Sequence, residues 1–187
     1  MKEDIREALA VLKKGGTILY PTDTIWGIGC DATNPEAVEK VYKLKGRDKE
    51  KSMLVLVDYP SRIDRYVDEV PEIAYDLVEL SEKPLTIIYP NAQFLAENLI
   101  AEDGSIGIRV VNDPFCQELI TRFKKPIVST SANISGVKAP SIFSEVKQEI
   151  IDAVDYVVQW RQDDVIQNPP SGIIKLGTRG EVEVLRE

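Results

Sequence analysis

Apolar positions along the chain switch between a helical spacing and the short continuous runs that are typical of buried strands. Ile5, Ala8 and Leu12 recur at the spacing of one buried helix face, which predicts a first helix over residues 4–14. A glycine pair follows and is expected to end this helix, because glycine adopts the left-handed backbone conformation that other residues resist. Residues 17–20 then form a short apolar run that predicts a buried strand.

The same two patterns recur to the end of the chain and predict an α/β fold. Asn34 and Pro35 are a typical cap and first residue of a helix that is expected to continue to Lys45. The stretch up to Ser81 is predicted to be mostly helical, with an interruption at Pro71. Further helices are predicted at residues 94–99, 114–123 and 144–151, and further strands at 53–57, 85–89, 106–110, 127–128, 156–158, 172–176 and 182–185.

Length and composition predict one domain over residues 1–187, since 43% hydrophobic and 29% charged residues are typical of a globular chain with one core. No internal repeat or interdomain linker is visible. No apolar run approaches the roughly 18 residues that a membrane span needs. The N-terminus also lacks the uninterrupted apolar stretch of a signal peptide. We therefore expect no membrane partner and a cytoplasmic location.

Two features of the composition exclude whole classes of chemistry. The chain has no histidine, which excludes histidine triads, histidine general bases and histidine metal sites. Cys30 and Cys116 are too few for a thiolate zinc site. Cys116 lies in the apolar stripe of a helix and is expected to be a core residue, whereas the glycine-rich turn before Cys30 leaves the accessibility of that thiol open. The net charge of −8 argues against broad electrostatic binding of nucleic acid.

Residues 21–29, PTDTIWGIG, form the first of three polar segments that lie beside buried strands. Thr22, Asp23 and Thr24 offer hydroxyl groups and a carboxylate next to two glycines that permit close backbone approach. Taken alone, the segment is equally consistent with a tight turn that is capped by its own side chains. Ligands in open α/β sheets bind beyond strand ends, where such loops converge, so the segment is a candidate for the site.

Residues 43–51, KLKGRDKEK, form the second segment. Its lysines fit a solvated helix end, because cations favour a helix C-terminus. Lys45 fits less well, since it lies seven residues after Val38 on the inward side of the helix and either snorkels to the surface or points into a polar cleft. Arg47 follows a glycine, and its guanidinium fork suits phosphate oxygens. Lys51 comes just before the next buried strand.

Residues 129–136, STSANISG, form the third segment. Their hydroxyl and amide side chains are too many for a core and predict either a hydrogen-bonded loop or a cradle for phosphate or ribose. Neither GxxxxGK[ST] nor GxGxxG occurs, so any nucleotide site is of another kind. Ser105 and Arg109 are four apart on one predicted strand and should share a face, while Ser171 lies at a strand start.

Six segments together resemble the YrdC/YciO family from about Gly16 to Arg186: PTDTIWGIG, KGRDKEK, PLTIIYP, GSIGIRV, STSANISG and PSGIIKL. The short pairs within them are weak signals, but the six in order are highly specific. The resemblance implies a single-domain α/β fold in which a twisted mixed sheet with flanking helices surrounds a concave cavity. It also implies formation of threonylcarbamoyl-AMP and pyrophosphate from L-threonine, bicarbonate and ATP, for the threonylcarbamoyladenosine modification of tRNA.

The resemblance further implies roles for individual positions. The catalytic residues would be the KxR and SxN pairs around the nucleotide phosphates, Lys45, Arg47, Ser131 and Asn133. The residues implied to bind ATP are Arg47, Lys51, Ser105, Ser131, Asn133 and Arg186. Threonine would be held by Thr24, Arg109, Ser129 and Ser171, with Arg109 pairing with its carboxylate. No position is implied as a dedicated metal ligand.

The implied chemistry needs no histidine. The threonine amine attacks the carbonate carbon to form a carbamate, and a carbamate oxygen then attacks the α-phosphorus of ATP, a transfer that depends mainly on positioning and charge neutralisation. Mg²⁺ is the expected cofactor, bound through the ATP phosphates and water, and Asp23 is a candidate to orient it from the outer shell. A tRNA and the downstream threonylcarbamoyl transferase complex are the implied partners.

Two other functions remain open. An RNA-binding paralogue of the family without synthase activity could hold a tRNA loop or duplex RNA in a basic-rimmed cavity, and would show salt-sensitive binding without ATP turnover. A related domain could instead carry a different carbamoyl-type transfer, because Ser52 and Gly172 depart from the family pattern. The sequence stops at Glu187, so the extra C-terminal domain of longer members is expected to be missing.

Overall fold

The computed structural model describes residues 1–46 and 53–187. Helices and strands alternate through this part of the chain. The α-helices are Lys2–Lys13 (α1), Pro35–Lys45 (α2), Ile63–Tyr66 (α3), Ile73–Leu80 (α4), Pro114–Phe123 (α5) and Gln148–Ala153 (α6). The strands are Ile18–Tyr20 (β1), Gly27–Gly29 (β2), Leu54–Val57 (β3), Leu85–Tyr89 (β4), Ile106–Val110 (β5), Ile127–Ser131 (β6), Tyr156–Val157 (β7), Gly172–Leu176 (β8) and Val182–Arg186 (β9).

These strands form one mixed sheet in the order β7-β1-β2-β6-β3-β5-β4-β8-β9. Three neighbouring pairs are parallel, namely β1 with β7, β3 with β5 and β4 with β8, and the remaining pairs are antiparallel. Strand β6 joins the two halves, because Ser129 pairs with Leu54 of β3 while Ser131 pairs with Gly27 of β2. The predicted α/β class, with a mixed sheet and flanking helices, is confirmed.

Local sequence signals explain where the longer helices begin and end. Asn34 caps α2 by accepting hydrogen bonds from the backbone N–H groups of Glu36 and Ala37, and Pro35 follows it. Gly46 ends the same helix with a left-handed φ of 55°. Asp113 caps α5 in the same way and is also followed by proline. Both helices therefore lie where the capping residues predict.

The two faces of the sheet are covered differently. Residues that alternate on one face, among them Val55, Ile87 and Ile108, pack in the core with the apolar sides of α2, α3, α4 and α6. On the other face, Leu56 and Ile127 pack against α1 and α5. These two helices cover only part of that face, and the remainder is open.

Several predictions of local structure need correction. No helix forms at residues 94–99, where Phe94 has a φ of 54° and the Ala96 N–H donates to the carbonyl of Ala32 rather than within a helix. The predicted helix over 144–151 is instead a 3-10 turn, Phe143–Glu145, followed by α6. In the first segment a positive φ and a tertiary hydrogen bond override an apolar spacing that is compatible with a helix. In the second, the extended backbone of Val146 ends the 3-10 turn before α6 begins.

The polar segments contain more strand than the sequence predicts. Strand β6 continues to Ser131, so the first residues of the third polar segment, 129–136, belong to the sheet. Strand β2 lies inside PTDTIWGIG, where its short and glycine-rich run hides it from a search for apolar periodicity. Gly29 is required there, because a Cβ would lie 2.6 Å from the Val128 carbonyl oxygen.

Cys30 and Cys116 are both buried, with 0% and 1% of their surfaces exposed. Burial raises the pKa of both thiols, so they stay protonated at neutral pH. The prediction that Cys116 is a core residue is confirmed, and Cys30 also belongs to the core. Across residues 1–46 and 53–187, no helix combines the length and the apolar character that crossing a membrane would require.

Candidate functional site

A cavity of about 300 Å³ lies on the face of the sheet that α1 and α5 leave open. Its floor comes from four strands, which contribute Leu54, Gly107, Thr86 and Ile173. Thr24, from the segment between β1 and β2, lies on its wall. The cavity therefore combines apolar floor residues with a few polar groups, as in most small-molecule sites.

The structure brings most of the predicted site residues together. The predicted site residues that line this cavity are Thr24, Arg109, Ser129, Ser131, Ser171 and Arg186. Lys45, Ser105 and Asn133 are not part of its lining. Arg47 and Lys51 lie outside the described residues. All four positions that the family resemblance assigns to threonine thus face one space.

Arg109 brings a buried positive charge to the cavity. Only 3% of its surface is exposed, and its Nη2 lies 3.0 Å from Asp23 Oδ1. The two groups are close but poorly aligned, since Arg109 Nε and Nη2 and Asp23 Oδ1 all lack a hydrogen-bond partner among residues 1–46 and 53–187. Asp23 Oδ2 instead accepts from the backbone N–H of Asn112 at 3.0 Å. Buried donors without partners are costly, so the guanidinium is suited to donate to an anionic ligand.

Arg186, on β9, adds a second cation at the same cavity. Its Nε donates to the backbone oxygen of Ser171 at 2.9 Å, which ties β9 to the segment before β8. Burial lowers the pKa of Arg186, and the charge of Arg109 lowers it further. Two cations that face one space repel each other, and an anion between them relieves that repulsion. The charges therefore favour a carboxylate or phosphate as ligand.

The hydroxyl of Thr24 is oriented by a short chain of hydrogen bonds. Thr22 Oγ1 donates to the carbonyl of Ile25 at 2.8 Å and lies 2.9 Å from Thr24 Oγ1. Because a hydroxyl carries one proton, and that of Thr22 is used on Ile25, Thr24 is the donor between the two threonines. Thr24 therefore keeps acceptor capacity for a ligand, which suits an amine or ammonium group.

Lys45 is 1% exposed, which confirms the inward direction expected from its spacing to Val38. Its Nζ donates to the backbone carbonyl of Ser131, donates to that of Asn133 at 2.7 Å, and lies 3.4 Å from Asn133 Oδ1. The amide of Asn133 donates to two backbone carbonyls of its own loop. Lys45 thus ties α2 to the end of β6, and its implied contact with phosphate stays a prediction.

Asn133 lines a second cavity, of about 270 Å³, next to the first. Lys138 and Lys147 also line it, and Ala139 lines both cavities. The SxN pair is therefore divided, with Ser131 in one cavity and Asn133 in the other. A ligand that contacts both side chains has to extend across Ala139.

Ser105 lies just before β5 and is engaged elsewhere. Its Oγ donates to Asp103 Oδ1 at 2.5 Å, and Lys175 Nζ donates to the other carboxylate oxygen at 2.8 Å. The hydrogen bond from Lys175, together with those from Ser105, lowers the pKa of Asp103 to about 2. The predicted ATP contact of Ser105 therefore has no support from the cavity lining.

Thr86 and Gly107 are among the cavity residues that were not predicted as site residues. Thr86 lies on the floor, and its Oγ1 is 2.8 Å from Ser171 Oγ. Thr86 therefore orients the hydroxyl group of Ser171, which is one of the predicted site residues. Gly107 shares the floor, where it leaves open the space that a side chain would fill. Strand alternation could have indicated both, because Thr86 and Ile88 face opposite to Ile87, and Gly107 shares its face with Arg109.

Within the described residues, no group of three or more histidine, cysteine, aspartate or glutamate side chains is arranged to hold a metal ion. A metal at this site would therefore need most of its ligands from a bound molecule and water.

Both the sequence and the fold are similar to those of known proteins. The model of the Sua5/YciO/YrdC family, described as "Telomere recombination", matches residues 10–187. A curated relative, the threonylcarbamoyl-AMP synthase of Pseudoalteromonas translucida (strain TAC 125), is 33% identical over 157 residues, which are 82% of this chain and 84% of that protein.

Solved structures of the same family have a similar fold. E. coli YciO matches with a TM-score of 0.85 and 23% identity, over 100% of this chain and 90% of that one. P. abyssi Sua5 complexed with L-threonine matches with a TM-score of 0.81 and 22% identity, over 92% of this chain. This chain covers 50% of that Sua5 chain, about half of its length. At 22% and 23% sequence identity, these two structures show that the fold is shared.

Proposed function

This chain belongs to the Sua5/YciO/YrdC family, and on that premise we propose that it is a threonylcarbamoyl-AMP synthase, a nucleotidyltransferase that serves tRNA modification. The curated relatives with this name are close to the chain in length as well as in sequence. The single observation that carries the proposal is the cavity in which the buried guanidinium of Arg109, with two nitrogens that make no hydrogen bond to the described residues, shares a space with Arg186 and oriented hydroxyl groups.

L-Threonine would occupy the part of the cavity between Arg109 and Thr24. Its carboxylate would accept from Arg109 Nε and Nη2, which make no hydrogen bond within the part of the chain that the structure describes. Its amine would donate to Thr24 Oγ1, whose own proton is used on Thr22. Ser171 and Ser129, which line the same space, would complete the contacts. This arrangement leaves the amine beside an acceptor and positioned for attack.

ATP would extend from the first cavity into the second. Ser131 would contact phosphate oxygens from one side and Asn133 from the other, with Arg186 neutralising charge at the edge of the first cavity. Arg47 and Lys51 belong to the same proposal on the family resemblance. Mg²⁺ would be held by the ATP phosphates and water, where it neutralises phosphate charge.

The reaction would then proceed by positioning. The threonine amine attacks bicarbonate, which forms a carbamate with loss of water, and a carbamate oxygen attacks the α-phosphorus with release of pyrophosphate. Cationic side chains stabilise the charge that builds up during transfer, and the hydroxyl groups hold the reactants in line. No histidine is needed in this scheme. The product would pass to a threonylcarbamoyl transferase complex that acts on tRNA, which places the protein in the cytoplasm.

Pyrophosphate release tests this function directly. Purified protein is incubated with ATP, Mg²⁺, L-threonine and bicarbonate, and pyrophosphate and the adenylate are measured with each component omitted in turn. Release should require all of them, and Ser131→Ala should abolish it. Lys43→Met, on the exposed side of α2, is the matched control and should retain activity.

Two results would count against the proposal. Pyrophosphate release that does not depend on threonine or bicarbonate would indicate a different carbamoyl-type transfer. Salt-sensitive binding of tRNA with no ATP turnover under any condition would indicate an RNA-binding paralogue.

A further inference from the structure

Arg161 connects two segments that both contribute residues to the cavity lining. It lies in the turn that follows β7, and the same connection continues to Pro170 and Ser171, which line the cavity. Its Nη1 donates to the backbone carbonyl of Thr22 at 3.0 Å and to Asp113 Oδ2 at 2.8 Å. Its Nε donates to Asp164 Oδ2 at 2.5 Å within its own turn. The guanidinium therefore spans from one loop to the segment that carries Thr24.

The backbone and surroundings of Arg161 indicate that this contact is built into the fold. Its φ of 66° lies in the left-handed region, which is unfavourable for a residue with a Cβ and persists only where neighbouring contacts fix it. Asp113 is 3% exposed and uses its two oxygens differently, since Oδ1 caps α5 and Oδ2 accepts from Arg161. The side chain of Arg161 is only 27% exposed.

Among the described residues, few other polar contacts hold residues 21–25. The segment is held by the Asn112 N–H on Asp23 and by a weak hydrogen bond from Cys116 Sγ to the Pro21 carbonyl at 3.3 Å. Arg161 supplies a charged contact at the carbonyl of Thr22, and Arg109 supplies another at Asp23. Thr22 in turn orients Thr24, so a shift of this residue moves the ligand-facing hydroxyl as well as the carboxylate of Asp23 beside Arg109.

We propose that Arg161 is a positioning residue that fixes the segment of residues 21–25 against the floor of the cavity and thereby sets the affinity for the amino-acid substrate. It lies outside the cavity lining and acts through Thr22, Asp23 and Thr24. Its role in substrate affinity rests on the proposed function, whereas its role in holding the segment can be measured without substrate.

The main test variant is Arg161→Asn. Asparagine tolerates a left-handed φ better than most residues, so the turn can keep its backbone, but its short side chain cannot reach Thr22. Asp113→Asn is the second variant, because asparagine can still cap α5 but has one acceptor oxygen for the two contacts that the carboxylate satisfies. Arg122→Asn is the matched control, since Arg122 pairs with Glu118 on the exposed side of α5.

Hydrogen exchange measured without substrate provides the first readout. The Thr24 N–H donates to Thr22 Oγ1 at 3.1 Å and reports whether the segment is held. In Arg161→Asn and Asp113→Asn its exchange should be about tenfold faster, while amides of α2 and Arg122→Asn should match the parent protein. Unchanged Thr24 exchange in Arg161→Asn would overturn the positioning role.

The second readout separates the two substrates. Arg161→Asn should raise the calorimetric Kd and the KM for threonine by about tenfold, and change the KM for ATP by less than about threefold. Equal changes for both substrates would indicate general loosening and contradict a local role. If the parent protein binds no threonine, the proposed function is wrong, and so is the proposed effect of Arg161 on substrate affinity. The hydrogen exchange of Thr24 would still decide whether Arg161 holds residues 21–25.

Discussion

Asp23 Oδ1 and Arg109 Nη2 lie 3.0 Å apart in a buried pair that joins the segment after β1 to the floor strand β5. The pair is nearly excluded from water, with 7% and 4% of the two side chains exposed. Charge is balanced, but the hydrogen bonds between the two groups are poorly aligned. Such a pair fixes the position of a cation while leaving its donors available.

Loss of the carboxylate should destabilise the protein. Asp23→Asn leaves Arg109 as a buried charge without compensation, so the free energy of unfolding should fall by about 3 kcal/mol. Urea unfolding at neutral pH measures this change. Glu118→Gln, which removes an exposed pair with Arg122, is the control and should change it by less than about 1 kcal/mol. Similar losses of unfolding free energy in Asp23→Asn and Glu118→Gln would show that the buried charge of Arg109 does not need Asp23.

Two glycine substitutions should separate stability from ligand binding. In Gly107→Ala the new Cβ would lie 3.4 Å from Leu54 Cβ and 3.4 Å from Thr86 Cγ2, which are ordinary van der Waals contacts. The free energy of unfolding should therefore change by less than about 1 kcal/mol. The methyl group nevertheless occupies the cavity floor and should weaken ligand binding by about tenfold, measured by calorimetry. Binding equal to that of the parent would show that the ligand does not reach this floor.

Gly29→Ala should have the opposite profile. Its Cβ would lie 2.6 Å from the Val128 carbonyl oxygen and 2.7 Å from Tyr20 Cε1, so the sheet between β2 and β6 has to shift. The melting temperature should fall markedly, with a stability loss of about 2 kcal/mol or more. A variant as stable as Gly107→Ala would mean that the sheet is looser here than the contacts indicate.

Lys45→Met should impair both folding and catalysis. Methionine keeps the length of the side chain but leaves the carbonyls of Ser131 and Asn133 without their charged donor, which should cost about 2 kcal/mol. Displacement of those residues should lower kcat/KM on the order of a hundredfold. Lys43→Met, on the exposed side of the same helix, should change neither value. Normal kcat/KM in Lys45→Met would remove Lys45 from the site.

Acid should weaken the turn before β5 in a defined pH range. The pKa of Asp103 is lowered from 3.8 to about 2 by Lys175 and Ser105, so its contribution to stability is complete above pH 4 and is lost as the pH falls towards 2. The carboxylate is 53% exposed, which limits the effect to less than about 1 kcal/mol. Asp103→Asn should be less stable than the parent at pH 6, with the difference shrinking below pH 4. A difference independent of pH would exclude this linkage.

The sequence determined the helices and strands wherever a local signal dominates. Asn34, Pro35 and Gly46 mark both ends of α2, and the apolar runs give β3, β4 and β5 within about one residue. The family resemblance identified the cavity residues on β5 and β6 and those before β8. These predictions succeeded because capping, apolar periodicity and short motifs depend on neighbours along the chain.

Only the tertiary structure decided which polar groups are available to a ligand. Lys45 has the residue type of a phosphate site, but a hydrogen-bond partner 86 positions away engages it within the protein. Arg109 has two nitrogens that make no hydrogen bond to the described residues, and Arg161 contacts a segment 139 positions before it. Hydrogen bonding and charge compensation depend on distance in space, and sheet pairing across the whole chain sets those distances, so no local pattern in the sequence could supply them.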